Sequence, residues 1–295
     1  MKVGEVMTKT NNTYKGIVLL LLSAIFFAIS SAFGKIVTVN TNLSGSILAF
    51  SRFFIGFILA CTYVVVKKKS LRPNNVKWVS LRAVLNTFTI ILFFYGIQLT
   101  TITNANMLNM TYPVFVFLIA PKINGEKIPK IYYLFLSLTI IGYYLVVVPD
   151  FNSINIGDVI ALISGLIAAF AITSLREARK YDESYLIVFY LMGFGSLMSF
   201  FTALPSFETV SISYMYYIII SGLLGAVGQL FITAGYRYVD AATGSLVSAS
   251  RIIFSVIIGA SFFADPLGLR IIIGGILIMS SLIGVNRISM IRDSK

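Results

Sequence analysis

The chain has 295 residues, 58% of them hydrophobic and 12% charged, with mean hydropathy +0.91, where a soluble domain carries about 25% charged residues; a water-soluble globular class is excluded and an integral membrane protein is expected. A net charge of +12 would suggest nucleic acid in a soluble protein, but these basic residues lie between apolar runs, where membrane topology accounts for them and no nucleic-acid partner is needed. The absence of histidine and the single cysteine, Cys61, remove the commonest metal ligand, the commonest general base and any intramolecular disulfide, so no metal, no cofactor and no enzymatic role are expected.

Residues 1–15 read as a basic, cytoplasmic N-terminal segment, and the apolar run that follows lacks a small-residue cleavage site, so it is taken as a retained helix. A bilayer helix needs about 20 apolar residues. The expected crossings run Gly16–Val37, Gly45–Val66, Trp78–Gln98, Thr103–Pro121, Lys130–Val148, Gly157–Leu175, Ser184–Leu204, Tyr214–Tyr236, Ala242–Phe263 and Leu269–Val285. The connections are short, and residues 149–156, beginning Pro149-Asp150-Phe151-Asn152-Ser153, separate two halves, 16–148 and 157–286, ahead of a tail at 287–295. With the N-terminus placed in the cytoplasm, 19 of the 23 Lys and Arg residues fall on that side and only Arg270 falls outside; Lys35, Arg52 and Arg251 lie within helices. The charge bias therefore sets both termini in the cytoplasm.

The fourth and ninth crossings repeat each other. At an offset of 139, Ala105 meets Gly244, Asn106 meets Ser245, Asn109 meets Ser248, Tyr112 meets Arg251 and Glu126 meets Asp265. The third and eighth align at the same offset, Gly96 on Gly235 and Gln98 on Arg237; the first and sixth align at 141, Gly16 on Gly157, Ser23 on Ser164 and Lys35 on Arg176. Five crossings per half is odd, so homologous halves enter the membrane in opposite directions. The expected fold is an all-α membrane protein of ten helices in two inverted five-helix repeats, an architecture that places a site at the repeat interface.

The stretch FFYGIQLTTITNANMLNMTYPVFVFLIAPKINGEKI, with Arg52-Phe53-Phe54 opening the second helix and Gly157-Asp158 heading the second half, resembles the ten-helix EamA-type branch of the drug/metabolite transporter superfamily. The resemblance spans residues 16–286; it departs at Ile252, where the pattern often has proline, and at Asp265, where it often has glutamate. It implies a secondary transporter of the cytoplasmic membrane, in a family that carries amino acids, nucleosides, adenosyl compounds and drugs, and it favours a structural or gating role for Arg52.

Ionisable groups inside a membrane are costly and need a reason. Arg251 sits near mid-bilayer, roughly 14 Å into the ninth crossing at 1.5 Å per residue; it either attracts an anion or hydrogen-bonds facing carbonyls. Lys35 lies near a helix end, within reach of the interface. Asn106, Asn109 and Tyr112 share one helical face, as do Ser245, Ser248 and Arg251; such faces bind neighbouring helices or line a cavity. Gln229, Asn86 and Tyr95 are secondary candidates for the cavity wall, and Pro113 interrupts the fourth crossing. Gly222, Gly225 and Gly228 are expected to allow close helix packing. No Asp or Glu lies deep in any helix. The reading that follows is a transporter of a small anionic or zwitterionic metabolite, such as an amino acid or derivative. A drug exporter, a nucleoside or adenosyl-compound transporter and a non-transporting membrane protein are the alternatives. The expected partners are a small-molecule substrate and the lipid bilayer, with a homodimer left open.

Overall fold

The computed structural model describes residues 3–41, 43–100, 102–147, 154–209, 212–264 and 266–293. Lys2, Lys295, the 149–153 part of the separator and Asp265 lie outside them. The described secondary structure is helical: α1 (Val3–Asn40), α2 (Gly45–Val66), α3 (Val76–Leu99), α4 (Ile102–Asn109), α5 (Tyr112–Ile123), α6 (Lys130–Val147), α7 (Ile156–Tyr181), α8 (Ser184–Ala203), a 3-10 helix (Leu204–Thr209), α9 (Ile212–Gly235), α10 (Ala241–Ser248), α11 (Arg251–Phe263) and α12 (Leu269–Asp293). Several starts carry side-chain caps, which satisfy N–H groups that the helix itself leaves unpaired. Asn75 accepts from the Trp78 amide, Asp240 accepts from the Thr243 amide, and Asn155 with Asp158 forms a reciprocal capping box on α7.

Nine stretches among the described residues are long and apolar enough to cross a membrane. The tenth crossing is α4 followed by α5, pieces of 8 and 12 residues. This corrects the expectation of a continuous fourth helix, and the ninth crossing is divided in the same way into α10 and α11. In the first repeat Pro113 has no N–H to give and occupies the opening turn of α5. The second repeat has Ile252 at the matching position, donating to Ala249 O at 3.3 Å. Both junctions tighten through bonds three residues apart: Thr111 N to Leu108 O (3.2 Å) and Val114 N to Thr111 O (2.9 Å), then Ser250 N to Val247 O (3.1 Å) and Ile253 N to Ser250 O (2.9 Å). The break therefore belongs to the repeat and its packing, not to proline alone.

The inverted repeat is visible in the contacts. α1 packs along α9 as α3 packs along α7, α2 lies on α8, and α6 lies on α12. A Cβ added at Gly96 would stand 3.2 Å from Gly157 O, and one added at Gly235 would stand 3.2 Å from Gly16 O. These are the glycines that the two sequence offsets pair, each giving its neighbour's backbone room to approach. Tyr238, beside the start of α10, lies under Lys15 Nζ at 5.2 Å, and Asp240 pairs with Arg292 at the end of α12. The two ends of the chain therefore share one face of the bundle, the terminal face. The largest buried cluster, with Ile17, Leu20, Phe117, Tyr132, Leu175 and Tyr236, lies toward that face.

Candidate functional site

The glycine row of α9 determines what can enter the centre. A Cβ at Gly222 would stand 3.1 Å from the Ser51 carbonyl, one at Gly225 would collide with Arg52 Cδ, and one at Gly228 would stand 3.0 Å from the Phe27 ring. The absent side chains bring α1 and α2 close to α9 and leave a slot through which Arg52 crosses. Phe27 is then shared by two cations, with the guanidinium carbon of Arg52 5.2 Å and that of Arg251 5.6 Å from its ring centre. Both distances suit cation–π attraction. Arg251 Nη2 donates to Ser31 Oγ at 3.3 Å, and Arg251 keeps partial exposure.

The other candidates divide by location. Tyr112 at the start of α5 donates to the Ser245 carbonyl (3.4 Å), so the two matching faces meet across the repeats. Tyr143 of α6 donates to Ala249 O at 2.9 Å, at the α10–α11 break. Ser245 is fully buried and its hydroxyl donates back to Ala242 O. Asn109 Nδ2 donates to Ser164 Oγ at 2.8 Å, tying the first break to α7. The matching pair in the second repeat, Ser248 and Ser23, has shorter reach, and both hydroxyls are buried without a hydrogen-bond partner. Gln229 is 3% exposed with Nε2 unpartnered, and Asn86 Nδ2 is likewise buried and unpartnered. Asn106 lies partly buried on α4, and its carbonyl accepts from Met110 N (2.9 Å). Pro113 is buried at the head of α5. Two candidates stand apart: Tyr95 is 52% exposed, and Lys35 rests over Phe263 at 4.5 Å, at the far end of α11.

Three residues were missed from the sequence. Arg82 is one of the 19 basic residues that the charge bias assigns to the cytoplasmic side, but α3 begins at Val76. Arg82 is therefore about 9 Å inside at 1.5 Å per residue, 2% exposed, with Nε and Nη1 unpartnered. Its place four residues before Asn86, on the same helical face, was the available signal. Phe27 looked like any other aromatic residue in an apolar run. Glu126 was noted only as a repeated acidic turn. Its carboxylate accepts from the amides of Ala241 (2.7 Å) and Ala242 (3.3 Å), so a residue of the first half caps α10 of the second. Arg176, at 4.0 Å, approaches the same carboxylate while donating to the carbonyls of Tyr236 and Arg237. Burial, and after it the Asp240 carboxylate, push Glu126 up to about 7; the two amides and Arg176 pull the other way. Beside this clasp opens a cavity of about 750 Å³, with Arg176, Arg237, Asp240, Ser289 and Arg292 in its wall.

The chain has relatives among known proteins. The family model described as EamA-like transporter family matches residues 14–148 and 155–287. The chain is 24% identical over 274 residues to the pseudopaline exporter CntI of Pseudomonas aeruginosa (strain UCBPP-PA14), covering 92% of this chain and 96% of that protein. It is 26% identical over 266 residues to human solute carrier family 35 member G1, covering 84% and 72% of the two chains. A solved crystal structure superposes with a TM-score of 0.74 over 97% of this chain and 98% of its own, at 16% identity, which is a likeness of fold. With two broken crossings placed symmetrically about one polar centre, and with the family model spanning both halves, the chain belongs to the EamA-like transporter family and is a multi-pass membrane transporter.

Proposed function

We propose that the protein is a secondary transporter that moves a small anionic or zwitterionic metabolite, such as an amino acid or derivative, across the cytoplasmic membrane by alternating access. The observation that carries this reading is Arg251. It stands at the ninth-crossing break, stacked on Phe27 and partly exposed, on the symmetry-related counterpart of Tyr112. Among the described residues the acidic side chains belong to connections or to positions near helix ends, so the described helices bring no deep carboxylate to neutralise it. A fixed guanidinium in a low-dielectric centre favours a carboxylate or phosphate, and its planar fork suits bidentate contact. The same lack of deep acids weighs against a lipophilic-cation exporter. The near full-length match to a pseudopaline exporter supports a metabolite as cargo and export as the direction.

The test is transport in liposomes. Purified protein is screened for thermal stabilisation by amino acids, their derivatives and nucleosides, and each hit is followed by radiolabel exchange. Arg251→Lys keeps the charge and loses the fork, so exchange should weaken. Arg251→Gln should lose it while the protein elutes as a folded species. Normal exchange by Arg251→Gln removes Arg251 as the anchor.

A further inference from the structure

We propose that the centre is a polyanion site, in which Arg52, Arg82 and Arg251 together take a ligand bearing two or more carboxylates. This rests on the reading of the central site just given and names its substrate class more narrowly.

The first ground is the spacing of the three cations. Arg52 and Arg251 sit on one ring, Phe27, so their guanidinium carbons are at most about 11 Å apart by the two centroid distances. Arg82 lies within electrostatic range of Arg52, and Arg52 within range of Arg251. They come from three different elements, α2, α3 and the head of α11, with Arg52 the member that neighbours both of the others. Like charges brought together in a low-dielectric interior repel one another and each loses hydration. A structural arginine usually meets that cost with a carboxylate or a set of carbonyls. Arg82 instead leaves Nε and Nη1 buried without an acceptor, and Arg52 leaves Nε so.

The second ground is the kind of atom left unpaired. Asn86 Nδ2 and Gln229 Nε2 add two more donors to those of Arg52 and Arg82. Guanidinium groups have no acceptor to offer, so the arginine part of this count does not depend on how the amides are oriented. A surplus of donors suits an acceptor-rich, negatively charged ligand. A zwitterion with one carboxylate would pair with one guanidinium and bring an ammonium group against the others. Each further carboxylate pairs with a further guanidinium and adds attraction, whereas an added ammonium subtracts it. Carboxylates on a short carbon skeleton can span a separation of this size.

The probes are alanine, glutamate and citrate, with one, two and three carboxylates. Their binding to the full-length protein in nanodiscs is measured by thermal shift and by competition in liposome exchange. Apparent affinity should rise in that order, by about tenfold or more per carboxylate, the range of one charged hydrogen bond. Arg82→Gln should collapse the citrate-over-alanine ratio, while Arg82→Lys should keep part of it. Should Arg82→Gln fail to fold, Arg52→Gln and Arg82→Lys must still compress the ratio. Equal affinity for all three probes, an unchanged ratio in the variants, or no response to glutamate or citrate overturns the proposal. Equal binding that still requires Arg251 would leave the broader anion or zwitterion reading standing.

Discussion

At Glu126 two influences oppose each other. The amides of Ala241 and Ala242 and the Arg176 guanidinium favour the carboxylate, whereas burial and the neighbouring Asp240 favour the acid, and the second pair prevails, giving a value of about 7 against an ordinary 4.5. The sign of the consequence follows from linkage. A carboxyl that holds its proton more tightly when folded stabilises the fold at low pH. That contribution is lost as pH rises from the unfolded value through about 7, where the folded group must also ionise. The melting temperature of the wild type in nanodiscs should therefore fall as pH is raised from about 5 to about 8. Glu126→Gln keeps one acceptor for the α10 amides and has no proton to lose, so it should melt close to the wild type at pH 5, melt higher than it at pH 8 and show a flatter slope. Parallel slopes for the two proteins would remove Glu126 as the titrating group. Arg82 teaches the complementary point about reading residues: a basic side chain near the start of an apolar run resembles a flanking charge, and only the N-cap at Asn75 shows how far inside it lies.

At the scale of elements, the close glycine contacts carry the helix pairing. A Cβ on Gly157 would stand 2.7 Å from the backbone of Leu99 and Thr100, which cannot move without shifting α3, whereas one on Gly275 meets nothing within 4 Å. Gly157→Ala should destabilise by about 1–3 kcal/mol through overpacking. Gly275→Ala should be neutral or stabilising by up to about 1 kcal/mol, because it removes a glycine from a helix interior. Chemical denaturation in mixed micelles distinguishes them, and equal effects would sink the packing assignment. The pairing was legible in the sequence because glycines at matched offsets survive as spacing. The helix breaks were not. An apolar run of crossing length looks continuous, and in the second repeat no proline marks the junction, since Ile252 can extend a helix as well as follow a turn. The inversion implies that the Asn106–Tyr112 and Ser245–Arg251 faces meet, and Tyr112 donates to the Ser245 carbonyl between them. The convergence of α2 and α3 on the same centre left no periodic trace, because one buried arginine per helix has no pattern to repeat.

For the whole molecule, the remaining question is which face meets the cytosol. The terminal face carries the start of α1, the end of α12 and the α2–α3, α5–α6, α7–α8 and α9–α10 connections, and with Arg82 drawn inside α3, 18 of the 23 Lys and Arg residues belong to that side by sequence. Basic flanks are retained in the cytoplasm during insertion, so the expected orientation has this face inward. In that orientation the Glu126 clasp and the cavity of about 750 Å³ beside it would stand at the cytosolic mouth of the proposed alternating-access cycle. The orientation is open to direct measurement. Ser70 is exposed on the terminal face, and Ile154, 77% exposed, precedes α7 on the opposite one. In a background with Cys61 replaced by serine, an impermeant maleimide added to intact cells should label Ile154→Cys and spare Ser70→Cys until the membrane is permeabilised. The reverse pattern would turn the molecule over and move the clasp to the outer mouth. The site would keep its two-fold geometry, because inverted halves offer the same centre to either side.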